Sequence, residues 1–272
     1  METRWLQRLY ECVKGQFSQT WLPSHDHTHH MRVWSHAKNL IKVLHKKEYS
    51  FVEKKLEQLI IAVFFHDTGL TRTHDASHGK ESARICNQFL AGQSSLSADH
   101  IDEILDAVEK HDDKSYGNLP VAAKNKPDDI LTMLTVCDDL DAFGALGVFR
   151  YLEIYLHRGI PLQQIPAKTI ENLRKRFQYL VQQYGEMKEF MQEQEKRCQY
   201  TVDFYNELDR QCSARDFHAS EGPLKVADLL IEKVIRERIH ITELALASEA
   251  LPLDEFSRNY FRQLLREIDF RS

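Results

Sequence analysis

Three segments of the sequence supply histidines and aspartates of a kind that suits a divalent metal ion. His29 lies in HHMRVW, His66 and Asp67 follow an apolar run and precede Gly69, and Asp138 lies in TVCDDLDAFG. Imidazole nitrogens and carboxylate oxygens together suit a divalent ion and leave coordination positions open for water. Residues His29, His66, Asp67 and Asp138 therefore predict a metal site of the hydrolytic kind.

The carboxylates of CDDLDAF lie where a helix does not favour them, because they follow an apolar segment instead of starting one. Asp138 and Asp141 are three residues apart, share a helix face and continue the stripe of Ile130 and Leu134. Carboxylates on such a stripe are costly unless they are paired or bound to a metal. Either a metal ion or a buried Arg or Lys would offset these negative charges. Asp141 therefore has two alternative roles: it supports the metal site from beside a ligand, or it forms an ordinary salt bridge.

Other histidines and aspartates fit plainer interpretations. The His-Asp dipeptide recurs at residues 25–26, 74–75 and 111–112, and a hydrogen-bonded helix end is the expected reason for the first two. The run HDHTHH is expected to face solvent instead of forming a separate metal cluster. Cys137 is expected to fill core space, although it borders a predicted metal ligand.

The elements that must position these residues are predicted to be helices. Only 10 Gly and 7 Pro occur in 272 residues, and the stretches between them are rich in residues that lose little on entering a helix. Apolar spacing predicts helices over 2–19, 27–47, 80–92 and 98–111, one or two long helices over 169–212, and helices near 224–246 and 253–268. A further helix is predicted from residue 52 into FFHDTGL, where Gly69 ends it, and another runs from Pro127, an early helical position, through CDDLD. Ser97 is predicted to cap the helix over 98–111.

Two regions are predicted along the chain. Residues 1–212 form a helical core with long flanking helices, and residues 213–272 form a C-terminal helical extension that begins in the linker-like stretch SARDFHASEGP. The long charged helices are expected to pack on the core or to pair with a second copy of the chain. No internal repeat is found.

Composition excludes several classes of function. A net charge of −5 in mixed blocks gives no footprint for nucleic acid. The five cysteines lack a CxxC pair, which favours a reducing cytoplasm over a disulfide framework or a zinc ribbon. No apolar run is long enough for a membrane span or a signal peptide, so a cytoplasmic protein is expected.

The order of the motifs resembles the HD-domain superfamily of metal-dependent phosphohydrolases, and in particular its small stand-alone bacterial members. The matching segments are H-x-x-R-V from His29, H-D-x-G from His66, single histidines at 78 and 111, and D-x-L-D-A-x-G-x-x-G from Asp138. The resemblance implies an all-α HD-domain core. It also implies that His29, His66, Asp67 and Asp138 bind metal, and that His78 and His111 bind phosphate or a second metal.

The resemblance also implies hydrolysis of a phosphate ester or anhydride, with a nucleotide as the expected substrate. Catalytic roles are predicted for Asp67, His78, His111 and Arg32, with Lys80 or Lys110 as further phosphate contacts. The ligand set suits manganese, iron, magnesium, nickel or zinc. No GYP motif occurs, which argues against the cyclic-dinucleotide branch. A non-catalytic module that binds metal or nucleotide is the alternative, and a di-iron oxygenase is a weaker one.

Overall fold

The computed structural model describes residues 2–47, 53–75, 77–93, 96–113, 127–213 and 221–268, and these ranges contain helices and no strand. The all-α prediction is confirmed. The α-helices are α1 Glu2–Phe17, α2 His27–His45, α3 Glu53–Phe65, α4 His78–Leu90, α5 Ala98–Lys110, α6 Ile130–Asp141, α7 Gly144–His157, α8 Ile165–Tyr184, α9 Lys188–Ser213, α10 Gly222–Leu229, α11 Ile241–Ala247 and α12 Glu255–Ile268.

Shorter helical segments join some of these helices. A 3-10 turn, Thr68–Thr71, follows α3, and further 3-10 turns lie at Leu162–Gln164 and Ser248–Ala250. A π-helical stretch, Leu230–Arg236, continues α10. The linker-like stretch predicted near residues 213–223 falls mostly on residues 214–220, outside the described ranges.

The chain divides into two compact units. The first comprises Met1–Leu140 with Gln178–Met191, and the second comprises Asp141–Phe177 with Gln192–Ser272. The predicted boundary after residue 212 lies within the second unit, and a separate C-terminal extension over 213–272 stays a prediction.

Helix α3 is the centre of the first unit. Its residues from Leu59 to Phe65 are almost completely buried, and the helix contacts α1, α2, α4 and α5. Because this second half of α3 is apolar on all sides, other helices must surround it. The residues that directly follow it, His66 and Asp67, therefore begin inside the unit and not at its surface.

Gly69 was predicted to end α3, and this prediction is wrong. The helix ends at Phe65, and Gly69 lies inside the 3-10 turn that follows. A Cβ at Gly69 would lie 2.0 Å from the carbonyl oxygen of His78. Glycine is required here because two backbones approach closely, not because the helix needs a C-cap.

Pro127 was predicted near the first position of α6, and this prediction is also wrong. The helix begins at Ile130, where the Asp129 carboxylate accepts a hydrogen bond of 3.2 Å from the backbone N–H of Thr132. This is the usual interaction of an N-cap aspartate. Pro127 instead lies in the preceding turn, and its carbonyl oxygen accepts a hydrogen bond from the Tyr184 hydroxyl at 2.5 Å.

The single helix predicted near residues 224–246 is divided. Helix α10 and its π-helical continuation end before Arg238, which has a left-handed φ of 58°, and α11 starts after His240. The His240 ring nitrogen accepts a hydrogen bond from the backbone N–H of Thr242 at 3.3 Å. Apolar spacing continues across this break, so periodicity alone did not reveal it.

Two further observations concern the hydropathy of the helices and the cysteines. No helix among the described residues is both long enough and apolar enough to span a membrane. All five cysteines are free thiols, and Cys137 is buried in the core as predicted. Burial raises the pKa of the Cys137 thiol, so this residue stays protonated and serves packing.

Candidate metal centre

The turn after α3 brings the adjacent residues His66 and Asp67 to one point. Neighbouring residues on a regular helix diverge by about 100°, which would separate their side chains. The α-helix ends at Phe65, however, and the 3-10 turn begins at Thr68. His66 Nε2 and Asp67 Oδ2 consequently lie 3.6 Å apart. Both side chains can therefore contact one ion.

A first group of ligand atoms forms around Asp67 Oδ2, and it consists of His29, His66, Asp67 and Asp138. The nitrogens His29 Nε2 and His66 Nε2 are 3.0 Å apart. Asp138 Oδ1 lies 3.5 Å from the first nitrogen and 3.7 Å from the second. Atoms bound at about 2.1 Å to a common ion lie about 3.0–3.4 Å apart. The two histidine nitrogens have this spacing, and Asp138 Oδ1 lies slightly beyond it.

A second group forms around the other oxygen of the same carboxylate, and it consists of Asp67, His78 and His111. Asp67 Oδ1 lies 3.3 Å from His78 Nε2 and 3.1 Å from His111 Nε2. The two histidine nitrogens are 3.4 Å apart. Asp67 thus presents one oxygen to each group, and the two groups form a single buried cluster.

Backbone carbonyls fix which nitrogen of each histidine faces the cluster. The Nδ1 atoms of His66, His78 and His111 lie 2.7–2.8 Å from the carbonyl oxygen three residues earlier in the chain, which belongs to Val63, Asp75 and Val108, respectively. A carbonyl oxygen only accepts, so each Nδ1 must carry a hydrogen. In the neutral rings the Nε2 atoms are therefore bare lone pairs, which is the form that a metal binds.

Charge in the buried cluster shifts the pKa values in a consistent direction. Burial alone would raise the pKa of Asp67, but the histidines around it hold that pKa well below its usual range. Burial alone would lower the pKa of His66 and His78, but the carboxylates outweigh it and raise both, that of His78 to about 9. For His111, burial prevails and lowers the pKa. In the cluster without metal, His78 therefore holds a proton on the nitrogen where a cation would bind.

Two glycines allow the helices to approach closely enough to form the second group. A Cβ at Gly69 would overlap the His78 carbonyl, and a Cβ at Gly79 would lie 2.3 Å from the carbonyl oxygen of Glu109. In addition, the Gly69 N–H donates to the Ser82 hydroxyl at 2.7 Å. These contacts hold the start of α4 against the turn after α3 and against the end of α5.

Two of the remaining predicted phosphate contacts, Arg32 and Lys110, have other partners. Arg32 is buried, and it donates hydrogen bonds to Thr28 Oγ1 at 3.1 Å and to the Ser24 carbonyl at 2.8 Å. Lys80 is exposed, and Lys110 is exposed and paired with Asp106. The hydrogen bonds of Arg32 stabilise the start of α2, and its catalytic role stays a prediction.

Of the two alternatives for Asp141, support of the metal site or a salt bridge, the structure shows the salt bridge. Its Oδ2 lies 2.8 Å from Arg150 NH1, and both side chains are buried. A carboxylate on a buried helix face requires a partner of this kind, because an unpaired buried charge is costly. Of the two aspartates on this face, only Asp138 reaches the cluster.

The histidines of HDHTHH were expected to face solvent, and for His25 and His30 this is wrong, since both are buried. They pack beside His29, with ring centroids 5.8 Å and 5.4 Å from it, because this run starts α2 inside the unit. The plain interpretation of Asp26 is confirmed: its carboxylate accepts from the Thr28 N–H at 2.8 Å and caps the helix.

The sequence analysis missed the residues that hold the cluster in place. The carbonyls of Val63, Asp75 and Val108 leave no signal in side-chain chemistry. Gly79 left none either, because the sequence placed it in the loop before the helix predicted over 80–92, whereas in the structure it is the second residue of α4. Ser82 gives no signal, since its role depends on a contact with Gly69 from another element.

The described helices and the cluster define an all-α protein with a buried His/Asp site of the metal-binding type. The sequence matches the SidE phosphodiesterase (PDE) domain family over residues 14–208, and the chain belongs to this family. All six residues of the cluster lie inside the matched range. No curated protein and no solved structure matches the chain.

Proposed function

We propose that the chain is a metal-dependent phosphodiesterase of the HD-domain type. One observation carries the metal dependence: the Nε2 atoms of two histidines converge at 3.0 Å in the first group and at 3.4 Å in the second, around one carboxylate. Lone pairs repel at these distances unless a cation or a proton lies between them. The family description supports phosphodiester hydrolysis as the reaction.

The first group, His29, His66, Asp67 and Asp138, is proposed to hold a divalent ion. Two carboxylates and two imidazoles suit manganese, iron, magnesium, nickel or zinc. When bound, such an ion acidifies water and polarises a phosphoryl oxygen. Asp67 then has a second task, because its Oδ1 faces the second group and can orient the attacking water toward phosphorus.

The second group is proposed to stabilise the substrate phosphate, either directly or through a second ion. His78 carries a proton at neutral pH in the metal-free protein, since its pKa is raised to about 9. A protonated Nε2 donates a charge-assisted hydrogen bond to a phosphate oxygen. His111 lies beside it with a lowered pKa and offers a neutral ring. Arg32 is proposed to support phosphate binding by fixing the first turns of α2.

A nucleotide or a similar small phosphodiester is the proposed substrate, and a cytoplasmic location is proposed with it. The phosphodiesterase family supports the phosphodiester bond, while the nucleotide part is supported by the resemblance to the HD-domain superfamily. Pairing of two copies through the long helices α8 and α9 is part of the proposal.

The test combines metal analysis with a substrate panel. Protein purified without chelator is analysed for bound metal, and hydrolysis of cyclic, linear and pyrophosphate-linked nucleotides is measured with manganese, magnesium, nickel and iron. Metal bound at the cluster together with turnover of a phosphodiester supports the proposal. The His66→Ala variant is the matched control and gives the level of metal retained without the cluster. Wild-type protein that binds no more metal than this variant contradicts the proposal.

The alternatives predict different results in the same experiment. A non-catalytic module would bind metal and be thermally stabilised by a nucleotide without turning it over. A di-iron oxygenase would show the spectrum of a mixed-valent iron pair, but the family description favours hydrolysis over oxidation.

A further inference from the structure

His30 forms a hydrogen bond that joins the two helices from which the histidines of the first group project. It lies on α2, directly after His29, and it is completely buried. Its Nδ1 lies 3.1 Å from the carbonyl oxygen of Val63 on α3. Val63 precedes His66 by three residues. The hydrogen bond therefore connects α2 and α3 close to both histidines that the first group takes from these helices.

The Val63 carbonyl is also the group that orients His66. The Nδ1 atom of His66 lies 2.7 Å from the same oxygen, so two imidazole rings share one acceptor. A carbonyl oxygen has two lone pairs and accepts both hydrogens, which means that each Nδ1 carries one. The position of this oxygen is consequently set by one ring on α2 and by another just after α3.

The ring of His30 packs against both histidines of the first group. Its centroid lies 5.0 Å from that of His66 and 5.4 Å from that of His29. The ring also lies 5.8 Å from Phe17 and is stacked on Phe64 at 6.4 Å. All of these residues belong to the first compact unit. His30 therefore acts on the cluster by direct contact.

The other ring nitrogen of His30 is unfavourable for stability. Nε2 is buried and has no hydrogen-bond partner among the residues that the structure describes. Burial and the neighbouring histidines hold the pKa of His30 well below its usual value, so the ring is neutral and Nε2 is a bare acceptor. A buried acceptor without a donor destabilises a fold, whereas an apolar group of similar shape does not. The hydrogen bond of Nδ1 thus explains a histidine here better than packing does.

We propose that His30 is a positioning residue for the first group: its Nδ1–H holds α2 against the Val63 carbonyl and thereby sets the spacing between His29 and His66. The Nε2 atoms of these two histidines lie 3.0 Å apart, within the range that a common ion requires. His30 itself is not one of the cluster residues. The inference rests on the proposed function for its metal readout, but the hydrogen bond and the spacing are measured without metal.

The experiment compares the full chain with His30→Leu, His30→Asn and Phe17→Leu. Leucine removes both ring nitrogens at similar volume, whereas asparagine keeps an amide N–H near the position of Nδ1. Phe17→Leu is the matched control, because it reduces the packing against the His30 ring and retains the hydrogen bond to Val63. Thermal stability, manganese affinity and NMR spectra of the metal-free protein are measured for each variant.

His30→Leu is expected to separate stability from metal binding. Its melting temperature should lie within about 2 °C of the wild type or above it, because removal of the buried acceptor offsets the lost hydrogen bond. Its manganese affinity should weaken about tenfold, and His30→Asn should restore it to within about threefold of the wild type. Phe17→Leu should show the reverse, with a lower melting temperature and an unchanged affinity.

The NMR spectra without metal test the hydrogen bond and the spacing directly. The carbonyl ¹³C resonance of Val63 is expected to move upfield in His30→Leu, because the oxygen loses one of its two donors, and to stay near the wild-type value in His30→Asn. The nuclear Overhauser effects between the rings of His29 and His66 are expected to weaken in His30→Leu. They should be unchanged in Phe17→Leu.

Three outcomes overturn the proposal. An unchanged Val63 resonance in His30→Leu shows that the hydrogen bond does not form in solution. A changed resonance with unchanged Overhauser effects shows a hydrogen bond that does not set the spacing. Failure of His30→Asn to restore manganese affinity assigns the effect to lost packing. A wild-type chain that binds no manganese contradicts the proposed metal function, whereas the Val63 resonance and the Overhauser effects still decide this inference.

Discussion

The two groups of the cluster share Asp67 but differ in charge and in how they are held. The first group adds the Asp138 carboxylate to that of Asp67, so a cation there meets two negative charges. The second group adds only histidines, and one of them, His78, has a pKa raised to about 9. Under the proposed function, the first group is the stronger cation site, and the second is left to contact the substrate phosphate.

The supports of the two groups differ as well. His29, His66 and Asp138 lie on or directly after α2, α3 and α6. All three side chains are buried, and α2 packs against α3. His78 and His111 lie at the start of α4 and just after the end of α5, where Gly69 and Gly79 permit close backbone contact. The first group depends on core packing, and the second depends on the close backbone contacts that the two glycines permit.

Replacement of the shared residue should have the largest effect. Asp67→Ala removes a ligand from both groups and leaves the histidines without their common carboxylate. We expect loss of bound metal and a fall in turnover of at least about a thousandfold. Elemental analysis and single-turnover kinetics measure the two effects. A variant that retains metal while losing turnover would show that Asp67 belongs to the second group alone.

His111→Ala should separate the two groups. It removes a ring from the second group only, so we expect turnover to fall by about a hundredfold while one metal ion per chain is retained. His66→Ala is the matched comparison, because it should lose that ion. Equal loss of metal in both variants would refute the division into two groups.

Asp138→Asn changes the charge of the first group at nearly constant volume. The amide oxygen still coordinates, but one negative charge is lost, and metal affinity should weaken about thirtyfold. Isothermal titration with manganese measures this change. The pH dependence of substrate binding by the second group should stay as in the wild type, and a shift in it would mean that the groups are not separable in this way.

The pH dependence of metal binding should distinguish the groups further. In the metal-free protein the His78 Nε2 carries a proton below about pH 9, and the proton must leave before an ion binds there. Affinity for a second ion should therefore rise with pH up to about 9 and fall roughly tenfold for each unit below it. Titrations from pH 6 to 9 test this, with His78→Ala as the variant that should lose the dependence.

The smallest expected effect concerns the backbone contact of the second group. Gly79→Ala forces a methyl group against the Glu109 carbonyl, so α4 must move and separate His78 from His111. We expect about 1–3 kcal/mol of destabilisation and a weaker second site with the first site retained. Gly92→Ala is the control, because a Cβ at Gly92 would meet nothing within 4 Å. Similar effects of both substitutions would contradict the packing role of Gly79.

The sequence was sufficient to predict the helical class and to name the residues that the fold brings together in the cluster, because ligand types and helical periodicity are local signals. It was insufficient wherever a residue acts through a distant partner. Gly69 was assigned to a helix end, although its neighbour is His78, and Pro127 was placed in a helix that Asp129 begins. The Glu267 carboxylate accepts a hydrogen bond from the Ala145 N–H, 122 residues away, and no pattern in the sequence connects the two residues.

The close approach at Gly69 also affects how mutational tolerance should be interpreted. Every side chain at this position would collide with the backbone of His78, so a saturation scan should find no functional substitute there. Such a scan would rank Gly69 with the proposed metal ligands, although it has no side chain and donates only its N–H to Ser82. Sensitivity at position 69 would thus report the space between two backbones, and rescue by added metal would separate it from true ligand loss.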